Sequence, residues 1–134
     1  SIRKDIPVYF NNLGIALSQL NQNEDALKNY KKALELKPDL IDAIINSGIA
    51  YKKLFKYKEA IKYFDKSLKI DPNNHLLLNN IGNLYKSLGD TEEAHKFYDR
   101  ALKIKDDYCD SINNKAELYL QKKDFKKDSF KNLI

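Results

Sequence analysis

The chain has 134 residues, about one domain's worth, and leaves no room for a separate catalytic domain beside a binding module. Hydrophobic residues make up 43% and charged residues 32%, with only 4 Gly and 3 Pro, which argues against a turn-rich sheet and for an all-α chain of helices with charged faces. The net charge of +5 comes from 24 basic and 19 acidic residues interleaved along the same segments, which reads as solvated helix faces and speaks against a nucleic-acid or membrane partner.

No apolar run is long enough to span a bilayer, and Ser1–Ile6 lacks the apolar core of a signal peptide. The single cysteine, Cys109, cannot form an internal disulfide, so a cytoplasmic setting is expected.

Taken in chain order, Ser1–Ile6 reads as the tail of a preceding helix, because Ile2 stands 34 residues before Leu36 and 68 before Ile70. The chain is thus expected to be an excerpt from a longer array. From Pro7 to Leu20 a first helix is predicted, then a second from about Asn23 to Lys37, closed by Pro38, whose ring disfavours the helical state of the residue before it. The pattern then repeats. Gly14, Gly48 and Gly82 stand 34 residues apart, with Ala116 one step further on, and Ala26, Ala60 and Ala94 keep the same step. So do Tyr30, Phe64 and Tyr98, followed by Ala33, Ser67 and Ala101.

The units run over residues 7–40, 41–74 and 75–108, with a degenerate or truncated fourth over 109–134 in which Asp128 and Asn132 take the slots of the alanine and the aromatic residue. One solenoid domain over 1–134 is expected, with Gln121–Ile134 as a polar cap, a frayed end or a truncation. Gly14 and Ala26 are the small residues that let two helices approach closely. Leu13, Leu17, Leu27, Tyr30 and Leu34 are expected to fill the inward faces, with Tyr51, Ile61, Phe64 and Leu68 as their counterparts in the next unit.

The spacing of Phe10, Leu13-Gly14, Leu17, Ala26, Tyr30 and Pro38 resembles the tetratricopeptide repeat, and Ile44, Gly48, Tyr51, Ala60, Phe64 and Pro72 repeat it. Leu78, Ile81-Gly82, Tyr85, Ala94 and Tyr98 give a third copy, while Ser47, Lys115 and Asp106 depart from the pattern. The resemblance implies a helix-turn-helix solenoid wound as a right-handed superhelix, whose first helices line a concave groove that holds a protein or peptide partner.

On that expectation, the lining face carries Val8, Asn11, Asn12, Ile15, Ser18 and Gln19, then Asp42, Ile45, Asn46, Ile49, Lys52 and Lys53. The third unit offers Leu76, Asn79, Asn80, Asn83, Lys86 and Ser87, and the fourth Asp110, Asn113, Asn114 and Glu117. Asn12, Asn46, Asn80 and Asn114 share one slot. A side-chain amide carries donor and acceptor, so such a ladder can bridge to the main chain of an extended peptide whatever its side chains are. It can equally bond a neighbouring helix. Ile15, Ile45, Ile49 and Leu76 would supply apolar pockets and specificity.

The ladder is similar to that of the superhelix of the O-linked N-acetylglucosamine transferase, which makes a substrate-recruiting arm of a larger enzyme one alternative. Self-association into a homo-oligomer through the solenoid ends is another. The carboxylate clamp for chaperone tails is disfavoured. That family pattern wants cations, where this chain has Asn11, Ile15, Asn46, Leu76 and Asn80, or, one unit later, Ile45, Ile49, Asn80, Asp110 and Asn114.

Other signals point away from chemistry. His75, His95 and Cys109 do not make a metal-ligand pattern, and no phosphate loop, nucleophile elbow or paired-histidine motif is present. No enzymatic activity, metal or cofactor is expected. Asp106, Asp107 and Asp110 cluster at a helix start, where acids favour the N-terminal dipole, and the lysines from Lys122 to Lys131 read as a solvated cap.

Overall fold

The computed structural model describes residues 2–132, with side chains described from Asp5 to Lys123. Among these residues it holds seven α-helices and no strand: α1 (Ile2–Gln19), α2 (Asn23–Leu36), α3 (Ile41–Lys53), α4 (Tyr57–Ile70), α5 (His75–Ser87), α6 (Thr91–Ile104) and α7 (Cys109–Asn132). They fall into two compact units, Ser1–Pro72 and Asn73–Ile134. In unit 1 the hairpins α1/α2 and α3/α4 are joined by α2 packing on α3, and α1 also touches α3. In unit 2 the hairpin α5/α6 carries α7, which packs on α6 and touches α5.

Each hairpin turns in the same way. Asn21 (φ 61°), Phe55 (φ 61°) and Gly89 (φ 80°) adopt left-handed backbone at 34-residue steps. The next residue's N–H reaches back five residues, Gln22 to Leu17, Lys56 to Tyr51 and Asp90 to Tyr85, each at 2.9 Å. This is the Schellman ending of a helix, which satisfies carbonyls that the helix leaves open. Glycine suits the turn and asparagine tolerates it, but Phe55 adopts it at a cost of about 1–2 kcal/mol.

The second helices end on extended residues, Lys37 (φ −141°), Asp71 (φ −140°) and Lys105 (φ −137°). Proline follows the first two, whereas Asp106 follows Lys105, so the ring favours the break without being required for it.

Within each hairpin the glycine is a notch for an aromatic ring. A Cβ added at Gly14 would lie 2.4 Å from the Tyr30 ring, at Gly48 2.7 Å from Phe64, and at Gly82 2.4 Å from Tyr98. Ala26, Ala60 and Ala94, all fully buried, are the matching small residues of the second helices. Tyr30, Phe64 and Tyr98 are buried, and burial of such a side chain stabilises by roughly 1.5–3 kcal/mol. Ser47, which replaces the usual leucine, is also fully buried, with its hydroxyl donating to the Ala43 carbonyl at 2.7 Å.

Two expectations need correction. First, α1 runs through Pro7 back to Ile2, so residues 2–6 belong to this helix and are not the tail of another. The proline removes one internal hydrogen bond without stopping the helix. Second, Leu13 is 37% exposed although its counterparts Ser47 and Ile81 are buried. Tyr9 on α1 and Leu20 just after it are exposed as well.

In the fourth unit, α7 is one helix of 24 residues that passes Lys123, the slot of Gly89, without a turn. A hairpin is favoured when the returning helix buries an alanine and an aromatic ring. Asp128 and Asn132 in those slots offer no such gain, and the helix continues. No helix among the described residues is long and apolar enough to cross a membrane.

Candidate functional site

The first helices of neighbouring repeats meet in each unit, α1 with α3 and α5 with α7. The candidate lining residues lie on these helices. In unit 1, Val8 and Asn12 are exposed, Ile15, Ser18, Asn46, Ile49 and Lys52 are half-buried, and Ile45 is buried. Asn11 is only 5% exposed, and its side-chain oxygen accepts a hydrogen bond from Asn46 Nδ2 at 3.1 Å. Further along the same pair of helices, Lys53 Nζ donates to Ser18 Oγ at 3.2 Å. Lys52 is also engaged.

Unit 2 repeats the device. Asn79, 68 residues after Asn11 and again 5% exposed, accepts from Asn114 Nδ2 at 3.0 Å and from Ser111 Oγ at 2.8 Å. Lys86 pairs with Glu117, and Lys115, at the slot where leucine is usual, reaches Asp99 at 2.5 Å. Leu76 and Asn113 are exposed and Asn80 is half-buried. Neither Asn12 nor Asn80 has a side-chain hydrogen-bond partner among the described residues.

Thus the structure brings Asn11 and Asn46 together, and Asn79 and Asn114. It buries Asn11 and Asn79 in the seam between helices, where they are closed to a ligand, and leaves the four amides of the shared slot at the surface or half-buried.

The second helices also reach this face. Tyr98 Oη donates to Asn83 Oδ1 at 2.6 Å, so a residue of α6 holds a lining residue of α5. Burial, and secondarily the Glu117 charge, pushes the Tyr98 phenol up to about 12. Burial likewise raises the Tyr30 phenol, with Ser18, on the lining face of α1, as the opposing hydrogen-bond partner. Sequence reasoning placed these tyrosines in the core alone. The available signal was a hydroxyl at this slot in the first and third repeats and a phenylalanine, Phe64, in the second.

Replacing Tyr98 by Phe is expected to cost about 0.5–1.5 kcal/mol, since the Asn83 acceptor loses its donor. The raised phenol predicts a pH effect as well. Above pH 10 the unfolded chain ionises this group first, so its contribution is complete below that pH and is lost as pH rises towards 12. Urea midpoints of wild type and Tyr98→Phe between pH 9 and 12 check both, and the variant should lose part of the alkaline decline.

Tyr108 behaves similarly. Its phenol is pushed up to about 12 by burial and then by its hydrogen bond to Asp110 Oδ2, at 3.1 Å. That bond ties Asp110 to the loop before α7. Among the described residues no group of three His, Cys, Asp or Glu side chains could hold a metal, and Cys109 is exposed, with its thiol 3.6 Å from the Asp107 carbonyl.

With this geometry in hand, similarity to known proteins becomes informative. Two tetratricopeptide repeat family models match, one over residues 7–40 and the other over 39–107. No curated protein sequence gives a significant match.

Among solved structures, the first TPR of Spaghetti (RPAP3) bound to the HSP90 peptide SRMEEVD is 18% identical, with TM-score 0.79, covering 87% of this chain and 93% of that one. PilF of Pseudomonas aeruginosa is 25% identical, with TM-score 0.82, over 92% of this chain and 56% of PilF. YrrB, a TPR protein with an unusual peptide-binding site, is 25% identical, with TM-score 0.76, over 82% of this chain and 57% of YrrB. The family models together cover residues 7–107, with all three glycine notches, and the chain belongs to the tetratricopeptide repeat family.

Proposed function

We propose that the chain is a protein-interaction scaffold, and that the lining faces of α1 and α3 and of α5 and α7 hold a segment of a partner protein in extended or helical form. The observation that carries this reading is the placement of amide groups with hydrogen-bonding capacity left over beside apolar side chains on the same helix faces. Asn12, Asn46, Asn80 and Asn114 share these faces with Val8, Ile15, Ile49 and Leu76, all of them open or half-open to solvent. The peptide-binding site of YrrB gives a precedent in the family.

Each neutral hydrogen bond contributes roughly 0.5–1.5 kcal/mol, less than the several kcal/mol of freedom lost on association, so the apolar residues must supply much of the affinity. Lining cations are partly committed, Lys53 to Ser18 and Lys86 to Glu117, which disfavours a partner held by a terminal carboxylate.

The expected result of replacing Asn46 and Asn80 by Ala together is roughly tenfold weaker partner binding with unchanged helix content. Isothermal titration and circular dichroism measure the two, and wild-type affinity in the double variant would remove the amides from the site.

A second reading, self-association, is favoured by exposed apolar residues on α1 and the turn after it (Tyr9, Leu13, Leu20) and on α7 (Ile112, Tyr119, Leu120). Sedimentation across a concentration series decides it, because a strict monomer at high concentration excludes this reading.

A further inference from the structure

We infer that Asn11 and Asn79 are positioning residues: each orients the amide of the next first helix, Asn46 and Asn114, as a fixed acceptor for a main-chain N–H of the bound segment. This rests on the peptide-binding reading above and makes it more specific, because it separates the four surface amides into two kinds.

The hydrogen bond occurs twice, once inside each unit, between residues 35 apart and with the two copies 68 apart. Packing alone does not call for it. The slot of Asn11 and Asn79 is filled by Ile45 in the second repeat, where an aliphatic side chain is buried equally well. Burying an amide in such a slot is costly unless it is hydrogen-bonded. At 5% exposure neither Asn11 nor Asn79 can itself offer its amide to a ligand.

The donor side of the bond carries the functional consequence. An asparagine amide has two N–H donors and one oxygen acceptor, and its terminal torsion is soft when nothing holds it. In Asn46 and Asn114 one N–H is spent on the neighbouring helix, which sets the plane of the amide. Both residues are half-buried, and neither oxygen has a hydrogen-bond partner among the described residues.

Asn12 and Asn80, without such a bond, must be ordered at the moment of binding. Unit 2 holds its acceptor more firmly, because Ser111 also donates to Asn79, whereas unit 1 has Ala43 in that slot. A fixed oxygen needs a donor, and the donor that an extended segment supplies regardless of its side chains is its own N–H.

The test uses the full chain and a displayed library of twelve-residue peptides. A selected peptide is resynthesised with each amide in turn replaced by an ester, which removes the N–H and keeps the shape. Wild type should show an ester-sensitive position for the unit whose face the peptide occupies, weakening binding about three- to tenfold. For a peptide held by unit 1, Asn11→Ile, which copies Ile45, should abolish that sensitivity and lower affinity to a similar degree. Asn79→Ile should do the same for a peptide held by unit 2. Asn11→Asp, which keeps the acceptor, should restore the wild-type profile.

An unchanged ester profile in Asn11→Ile and Asn79→Ile overturns the inference and leaves the bonds as seam pins, while the peptide-binding reading survives. Should the isoleucine variants fail to fold, Asn46→Ala in unit 1 and Asn114→Ala in unit 2 must erase the same sensitivities, and an unaltered scan with these variants is equally fatal. If the library yields no peptide that competes at these faces, the peptide-binding reading fails and the inference falls with it.

Discussion

Replacing Gly48 by Val is expected to lower the unfolding free energy by about 2 kcal/mol. The new Cβ would lie 2.7 Å from Phe64 Cε1 and 2.9 Å from its Cδ1, closer than carbon atoms approach. The ring cannot swing away, because it is fully enclosed and stands on a helix whose Ala60 is equally buried. Overpacking of this kind costs roughly 1–3 kcal/mol, and the gain from removing a helical glycine returns only about 0.4 kcal/mol.

Urea unfolding of the whole chain measures the loss. The double variant Gly48→Val, Phe64→Leu should recover part of it, since the two residues touch and their effects do not add. A Gly48→Val chain as stable as wild type would mean that the close approach of α3 and α4 is not required.

The second large effect is expected at Leu118. This residue is 1% exposed and packs with Ala94 and Tyr98 in the apolar cluster of unit 2, with Tyr85 against its edge. Its other neighbours hold α7 by polar contacts: Ser111 and Asn114 on Asn79, Lys86 on Glu117 and Lys115 on Asp99. Exposed ion pairs contribute at most about 1 kcal/mol each. Truncation of Leu118 to Ala removes roughly 2–5 kcal/mol, enough to release α7 before α5 and α6. Amide hydrogen exchange should show protection lost over Cys109–Lys123 first. Uniform loss over all of unit 2 would show that α7 and the hairpin unfold as one body.

The close approach of the paired helices was legible in the sequence, since the stride of Gly14 and Ala26 carries Gly48 and Ala60 to the same slots; that the ring of Phe64 fills the notch at Gly48 was not. Nor was the polar seam. Asn11 and Asn46 occupy different slots of different repeats, and a ladder read from one slot at a time does not pair them. The signal was an amide at the slot of Asn11 and Asn79, where an apolar residue such as Ile45 also fits.

The stride was least informative where residues depart from it. Pro7 lies inside α1, since its missing N–H costs one hydrogen bond and does not stop the helix, and α7 passes the slot at which the other hairpins turn, where Asp128 and Asn132 replace the alanine and the ring. The turn at Phe55 was hidden for another reason: the Schellman geometry imposes left-handed backbone on a residue that does not prefer it, so tertiary structure overrides local preference there.

The amide-to-amide bonds have a mechanical meaning as well. Apolar contacts are nearly indifferent to a small sliding of one helix along another, whereas a hydrogen bond near 3 Å weakens steeply once its length or angle is disturbed. Asn11–Asn46 and Asn79–Asn114 therefore resist shear between the helices that they join, and each keeps its pair aligned along the axis without needing a larger greasy contact between them.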